Sequence, residues 1–246
     1  MKFSVNKMIK QILCVLFLLQ VTSLNGQLTD NQKCKASDSA CMVQSAQKLL
    51  PYFVAGIPEL GIETLDTLLV DKSRVDLSGL KLAIKDIRIK GLKKLVFENI
   101  SFDMNKKVLK VSYHTNIDYR GKYKASGRLL ILPITGDGDF TAKLKTMHVE
   151  LIMPFDIAKN KNGQDVIKLK SWKFNFDIKD NVHFSLTNLF NGNKETSDAL
   201  HKFMNENWKL LSVEFGRPLL QDPHQHVFKA IKAYLISIPL ENLFVQ

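Results

Sequence analysis

The histidine and acidic residues of this chain lack the spacings that catalytic sites use. The sequence contains no G-x-S-x-G, H-E-x-x-H, P-loop or G-x-G-x-x-G motif, so hydrolysis, zinc-dependent proteolysis and nucleotide binding have no motif to support them. Gly136–Asp139 has alternating acidic residues without a calcium loop, and it predicts a tight turn. The alternation of His224 and His226 is compatible with a metal site, but the pattern favours a polar loop between helices. The sequence therefore predicts a protein that is not an enzyme and that needs no cofactor or metal.

The first 26 residues have the organisation of a signal peptide. Three lysines precede Ile12–Val21, an apolar run of about ten residues that is too short to span a bilayer. Small residues follow at Ser23 and Gly26, so cleavage is predicted between positions 23 and 26. An uncleaved membrane anchor is the alternative. No other segment is apolar for long enough to span a membrane, so residues 27–246 are predicted to be one secreted domain.

Two further features suit an exported protein. Cys34 and Cys41 are the cysteines that remain after cleavage, and a pair at this spacing before a helix predicts a disulfide that pins the N-terminal arm. No other metal-ligating residues cluster near them, which argues against a metal site. Asn99-Ile100-Ser101 is an N-glycosylation sequon, and it predicts attachment only if Asn99 faces solvent.

The chain is basic, with 35 Lys and Arg residues against 24 Asp and Glu residues. Cleavage removes three of the lysines and no acidic residue, so the net charge falls from +11 to +8. Many lysines alternate with apolar residues, as on the solvated face of a sheet, instead of forming one cluster. This distribution argues against nucleic-acid binding and leaves anionic membranes as an alternative partner.

Periodicity divides the mature chain into helical and strand segments. Apolar residues at three- and four-residue spacing predict a helix over Ser37–Gly56, distorted at Pro51 and ended before Pro58. Alternation from Leu65 to Phe184 predicts long strands joined by short turns, and hence an antiparallel sheet with one apolar face. The alternation changes phase near Asp86, which predicts a bulge or bend.

The C-terminal part returns to helical spacing. Asn191 or Asn193 is predicted to cap a helix that Gly216 and Pro218 end, and Val227–Ile238 predicts a second helix. A long sheet with one apolar face must curl to bury that face, and the helices at both ends of the sequence are available to fill it. The fold class is therefore α+β.

Large, adaptable apolar side chains are frequent, with 15 Phe and 7 Met residues. One interpretation is an ordinary packed core, which composition alone favours. The other is a cavity lined by methionine and aromatic side chains.

Several segments occur along the mature chain in a recognisable order. They are Gly56–Ile62 (GIPELGI), Leu65-Asp66, Phe190–Glu195 (FNGNKE), Asn205–Trp208 (NENW), and Pro239 with Leu243-Phe244. Together with Cys34 and Cys41, this ordered set resembles the takeout and juvenile hormone-binding proteins of insects. The chain departs from that family at Thr67, where proline is usual. It also has no cysteine after Cys41, whereas the hormone-binding branch has a second disulfide, so the resemblance is to the takeout branch and does not specify juvenile hormone as the ligand.

The resemblance implies a long helix wrapped by a highly curved antiparallel sheet, with C-terminal helices closing the barrel. This TULIP-like fold is related to the modules of bactericidal/permeability-increasing protein. The resemblance also implies a monomeric carrier, secreted into haemolymph or a sensory fluid, that holds a terpenoid, juvenile-hormone-like or fatty-acyl molecule in an apolar tunnel. Feeding, circadian, chemosensory and hormonal physiology are the associated processes.

The predicted tunnel-lining residues are mostly inward-facing apolar positions, and a polar anchor at one point is predicted to be a residue such as Tyr113 or His148. The set is Leu49, Phe53, Ile57, Leu82, Val111, Tyr113, Leu129, Phe140, Met147, His148, Trp172, Phe174, Phe203 and Met204. Two rival functions stay open. One is a basic, surface-active protein that binds anionic membrane lipids, and the other is a structural or receptor-facing protein with a filled core.

Overall fold

The computed structural model describes residues 33–245. The predicted signal peptide, residues 1–26 with its cleavage site, lies outside them. Within the described range, no helix combines the length and the apolar character that crossing a membrane requires. These residues form a seven-stranded sheet that curls around helices from both ends of the sequence.

The first helix, α1, covers Ser39–Ala55, which matches the predicted helix to within two residues at each end. Asp38 caps it, because its Oδ1 accepts a hydrogen bond from the Cys41 amide at 3.0 Å. Gly56 ends the helix with a φ of 93°, a conformation that glycine adopts without strain. A Cβ at Gly56 would also lie 3.0 Å from the backbone of Glu63, so the chain turns tightly there.

Seven strands follow α1 in the sequence. They are β1 (Leu68–Leu77), β2 (Leu80–Lys90), β3 (Val96–Asp103), β4 (Val108–Leu129), β5 (Leu132–Lys159), β6 (Asp165–Leu169) and β7 (Lys173–Leu186). Every pair is antiparallel, in the order β1-β2-β4-β5-β6, with β3 also on β4 and β7 also on β5. The hairpin of β4 and β5, with 22 and 28 residues, therefore forms the centre of the sheet.

Register shifts bend this sheet. The shift between Lys85 and Arg88 confirms the bulge predicted near Asp86, whose φ is 53°. Three further shifts lie between Phe97 and Asn99, between Thr115 and Ile117, and between Lys145 and Met147. Bulges bend a strand and increase its twist, so the sheet can curl and bury its single apolar face.

The C-terminal helices occupy the concave side. They are α2 (Lys194–Glu206), α3 (Trp208–Ser237) and the short α4 (Leu240–Leu243). Asn193 caps α2, as predicted, by accepting a hydrogen bond from the Thr196 amide at 3.0 Å. The 30-residue helix α3 packs against β1, β6 and β7, so it is the long helix that the sheet wraps.

The predicted helix break at Gly216 and Pro218 was wrong, because both residues lie inside α3. The break falls instead at Asn207, whose Nδ2 donates to the Phe203 carbonyl at 2.9 Å. Gly216 serves close packing: a Cβ there would lie 2.7 Å from the ring of Phe176. The glycine thus allows α3 to pack closely on the sheet, and it does not end the helix.

The tight turn predicted at Gly136–Asp139 was also wrong, because this segment lies within β5. The hairpin turns at residues 130–131, between the paired residues Leu129 and Leu132. A Cβ at Gly136 would lie 2.6 Å from the Tyr123 hydroxyl and 2.9 Å from the Asn188 carbonyl. Alternating glycines here allow another part of the chain to approach the strand.

The predicted disulfide between Cys34 and Cys41 is confirmed. Cys41 lies in the first turn of α1. The backbone of Cys34 forms an isolated β-bridge with that of Phe244, and the Cys34 carbonyl accepts a hydrogen bond from the Val245 amide at 3.1 Å. The disulfide therefore holds the N-terminal arm and the C-terminal tail beside the start of α1.

Candidate ligand-binding cavities

One cavity, here called the α1 cavity, lies between α1, β3, the start of β4 and the end of α3. Its volume is about 500 Å³. Most of its lining is apolar and includes Met42, Ala46, Leu49, Leu50, Phe53, Phe97, Ile100, Phe102, Leu109, Val111, Ile231, Tyr234 and Leu235. Ser45, Ser237 and Asn242 are among the few polar residues along it. This composition suits a hydrocarbon ligand with few polar contacts.

A second cavity, the α2 cavity, lies at the opposite end of the molecule beside α2 and the first half of α3. Its volume is about 90 Å³. Its lining includes Leu80, Leu82, Tyr119, Leu129, Phe140, Ile178, Met204, Leu211, Phe215 and Leu220. Within residues 33–245, the Tyr119 hydroxyl is one of two buried side-chain polar atoms without a hydrogen-bond partner. Burial raises the pKa of Tyr119, so the group is a neutral hydrogen-bond donor.

A layer of aromatic rings lies between the two cavities. Along α3, the α2 cavity reaches Leu220 and the α1 cavity begins at Ile231. This layer, here called the aromatic partition, consists of Tyr113, Trp172, Phe174, His224 and Phe228. The ring centroids of Phe174 and His224 are 4.4 Å apart, and those of Trp172 and Phe228 are 6.0 Å apart.

His224 and Tyr113 form a buried polar pair within the partition. His224 Nδ1 lies 2.7 Å from the Leu220 carbonyl, and its Nε2 lies 3.5 Å from the Tyr113 hydroxyl. Burial lowers the pKa of His224 to about 4 and raises that of Tyr113, so both side chains are neutral at pH 7. A neutral imidazole with its proton on Nδ1 donates to Leu220 and accepts from Tyr113.

A third pocket, of about 600 Å³, lies near the β5–β6 hairpin, Ala36 and Val245. Its lining combines apolar residues such as Met104 and Leu240 with the polar residues Lys159, Gln164, Asp165 and Glu241. These charged and amide groups suit water better than a hydrocarbon chain.

The structure distributes the predicted lining residues over both cavities and the partition. Leu49, Phe53 and Val111 line the α1 cavity, whereas Leu82, Leu129, Phe140 and Met204 line the α2 cavity. Tyr113, Trp172 and Phe174 belong to the partition. Ile57, Met147 and Phe203 pack in or against the core without lining either cavity.

His148 is the predicted polar anchor that the structure places elsewhere. It lies between the inward-facing Met147 and Val149, each 2% exposed, so strand alternation directs its ring to the outer face of the sheet. There its Nδ1 is 3.0 Å from Glu98. His148 therefore lines neither the α1 cavity nor the α2 cavity.

His224 and Tyr119 were missed by sequence reasoning. His224 was assigned to a polar loop, but Asp222–His226 lies inside α3. The missed signal was helical spacing, because His224 lies four residues after Leu220 and four before Phe228 on one face. Tyr119 follows the inward alternation of β4, yet nothing in that pattern shows that its hydroxyl lacks a partner.

Asn99, the predicted glycosylation site, is half-buried in β3. Its Oδ1 accepts a hydrogen bond from the Ser39 hydroxyl at 2.7 Å, which connects β3 to the start of α1. Glycan attachment stays a prediction.

The comparisons agree with this architecture. The family model for haemolymph juvenile hormone binding protein matches residues 12–245. The solved structure of Takeout 1 from Epiphyas postvittana is 44% identical, with a TM-score of 0.85, and the match covers 87% of this chain and 100% of that one.

Two curated insect proteins are also similar. The circadian clock-controlled protein daywake of Drosophila melanogaster is 27% identical over 238 residues, covering 92% of this chain and 91% of that protein. A putative beta-carotene-binding protein of Schistocerca gregaria is 24% identical over 134 residues, covering 52% of each. These matches confirm the resemblance that the ordered sequence segments indicated. The chain belongs to the haemolymph juvenile hormone binding protein family.

Proposed function

We propose that this chain is a secreted carrier that holds one small hydrophobic molecule, such as a terpenoid or a fatty-acyl lipid, in the α1 cavity. The observation that carries the proposal is the cavity itself, about 500 Å³ of space with a mostly apolar lining. Ligand sites of roughly 300–1,000 Å³ accommodate molecules of this size. The family is named for binding juvenile hormone, and one relative for binding beta-carotene, so apolar isoprenoids are a ligand class to test.

Hydrocarbon burial supplies the binding free energy. Each methylene removed from water contributes about 0.8 kcal/mol. Ten such groups would contribute about 8 kcal/mol, from which the cost of ordering the ligand must be subtracted. Because a smooth apolar lining distinguishes chains by only about 1–3 kcal/mol per methylene, selectivity should follow length and shape.

The hydroxyl of Tyr119, which has no hydrogen-bond partner among the described residues, supports a second, polar contact for a ligand. A buried hydroxyl without a partner costs about 1–3 kcal/mol. A ligand oxygen in the α2 cavity would accept this missing hydrogen bond. We therefore propose Tyr119 as the polar anchor for any ligand group that enters the α2 cavity.

The proposal includes an extracellular setting. The disulfide between Cys34 and Cys41 suits an oxidising compartment. Transport in haemolymph or a sensory fluid as a monomer, and a link to circadian physiology through the similarity to daywake, complete the proposed role. We propose binding, with no catalytic step.

Native mass spectrometry and displacement of a fluorescent fatty acid test this proposal. Val111→Trp and Ala46→Phe each add bulk to a wall of the α1 cavity, from β4 and from α1. Lys110→Trp is the matched control, because the neighbouring side chain is exposed on the other face of β4. We expect both cavity variants to lose at least tenfold in affinity and the control to bind like the wild type.

The outcomes separate binding from folding. Circular dichroism and the melting temperature establish that each variant is folded before its affinity is compared. If a folded Val111→Trp or Ala46→Phe protein binds the fatty acid as the wild type does, the α1 cavity is not the site. A wild-type protein that binds no terpenoid and no fatty acid would favour the filled-core alternative.

A further inference from the structure

Three potential metal ligands converge on the outer face of the sheet, away from both cavities. His114 of β4 and His148 of β5 are direct partners in the antiparallel register. Their Nδ1 atoms lie 2.8 Å and 3.0 Å from the same oxygen, Oε1 of Glu98 in β3. The two rings are 5.2 Å apart between centroids. Three adjacent strands thus bring two imidazoles and one carboxylate to a single point.

We propose that Glu98, His114 and His148 form a binding site for Zn²⁺ or a similar divalent transition metal. Two imidazole nitrogens with one carboxylate oxygen are ligands that zinc prefers, and a fourth position open to water is common in such sites. The site is separate from the carrier function proposed for the cavities.

The geometry requires little rearrangement. Tetrahedral zinc with bonds of about 2.0–2.1 Å separates its ligand atoms by roughly 3.3 Å. In the structure, the three ligand atoms lie within 4.8 Å of one another, and two of the separations are about 3 Å. Small side-chain rotations would therefore form the site without moving the strands.

The partial exposure of the three side chains also suits metal binding. The side chains of Glu98, His114 and His148 are 35%, 38% and 34% exposed, so a hydrated ion can reach them while the ligands stay partly ordered by the sheet. Among residues 33–245, these three form the one group of His, Cys, Asp or Glu side chains with this convergence. Sequence analysis gave no sign of it, because the ligands come from three strands at no motif spacing.

Binding at this site should stabilise the sheet. β3 carries the contact with α1, in which Gln47 accepts a hydrogen bond from the Phe97 amide at 3.0 Å and donates one to the Leu95 carbonyl at 2.9 Å. A metal ion held by Glu98 together with the two histidines would connect β3 to β4 and β5. Since the folded state alone assembles the ligands, the ion should raise the melting temperature.

The first experiment is calorimetric titration of the tag-free, chelator-treated protein with Zn²⁺, accompanied by thermal melting. We expect one ion per chain and a higher melting temperature with zinc than with EDTA. His114→Gln and His148→Gln should each weaken binding at least tenfold. His183→Gln is the matched control, because His183 is an exposed histidine of β7 outside the cluster, and its binding should equal that of the wild type.

A spectrum of the unmodified protein makes the test independent of variant folding. Long-range ¹H–¹⁵N correlation distinguishes the two nitrogens of each imidazole. On zinc addition, the Nδ1 resonances of His114 and His148 should shift together with a 1:1 endpoint. The proposal is overturned if neither ring responds, or if zinc binds with unchanged affinity to both cluster variants.

Discussion

His224 is held neutral at the centre of the aromatic partition, where water cannot solvate an imidazolium. It is 3% exposed, and burial lowers its pKa to about 4. Arg217, which stacks on Phe174 with its Cζ 4.8 Å from the ring centroid, lowers the pKa further. The Tyr113 hydroxyl also faces His224 and is itself neutral. The pair can therefore hydrogen-bond but cannot form an ion pair at pH 7.

This pKa shift makes folding stability depend on pH. The unfolded histidine titrates near pH 6.5, so between about pH 6.5 and 4 the unfolded state binds a proton that the folded state does not. The stability that neutral His224 provides is complete above pH 6.5 and decreases as the pH falls. We expect its loss to approach about 3 kcal/mol at pH 4.

Urea unfolding from pH 4 to 7 measures this effect. His224→Gln removes the titrating group, so its free energy of unfolding should depend less on pH than that of the wild type. His183→Gln, at an exposed position, should retain the wild-type slope. Equal slopes for the wild type and His224→Gln would show that His224 is not the cause.

Periodicity correctly predicted the helix bounds, bulges and caps that local interactions determine. The bounds of α1, the bulge near Asp86 and the cap at Asn193 follow from nearby side chains and backbone. The breaks predicted at Gly136 and Gly216 were wrong because the reason for each glycine lies elsewhere in the chain. Gly136 faces Asn188, and Gly216 faces Phe176. No local pattern separates a glycine that turns the chain from one that admits a neighbour.

Gly136 provides a test of this distinction. Its absent side chain leaves room for the Tyr123 hydroxyl, which donates to the Thr187 carbonyl at 2.8 Å, and for the backbone of residues 188–189. Gly136→Ala should therefore destabilise the fold by about 1–3 kcal/mol through overpacking.

Thr135→Ala is the control for this substitution, because Thr135 is an exposed neighbour in the same strand. We expect it to change stability by about 0.5 kcal/mol or less. Urea unfolding of both variants measures the difference in their free energies of unfolding. A Gly136→Ala protein as stable as Thr135→Ala would show that the close approach at this point is not rigid.

The volumes of the cavities could not be predicted from the sequence. A cavity is the small difference between the space that the sheet and helices enclose and the volume of the side chains within it. Inward alternation identified Val111 and Phe140 as facing the interior, but it could not show that a partition separates them. The family resemblance correctly indicated a curved sheet. It implied one tunnel, whereas the aromatic partition lies between the α1 and α2 cavities in the part of the chain that the structure describes.

Salt dependence distinguishes the carrier hypothesis from its rival, in which the protein binds anionic membranes. The predicted mature charge of +8 gives the rival an electrostatic driving force, which salt screens as the Debye length falls. A cavity ligand is shielded from solvent ions. We therefore expect uptake of a soluble, uncharged terpenoid to be stoichiometric and equal at about 0.05 M and 0.5 M NaCl.

Vesicles of phosphatidylserine and phosphatidylcholine provide the opposing measurement, with Val111→Trp as the control. The carrier hypothesis predicts that Val111→Trp lowers the affinity for the terpenoid at least tenfold and leaves any vesicle binding unchanged, because position 111 faces the α1 cavity and not the surface. Tight vesicle binding that salt abolishes, in a protein that takes up no terpenoid at either salt concentration, would instead identify the membrane surface as the partner.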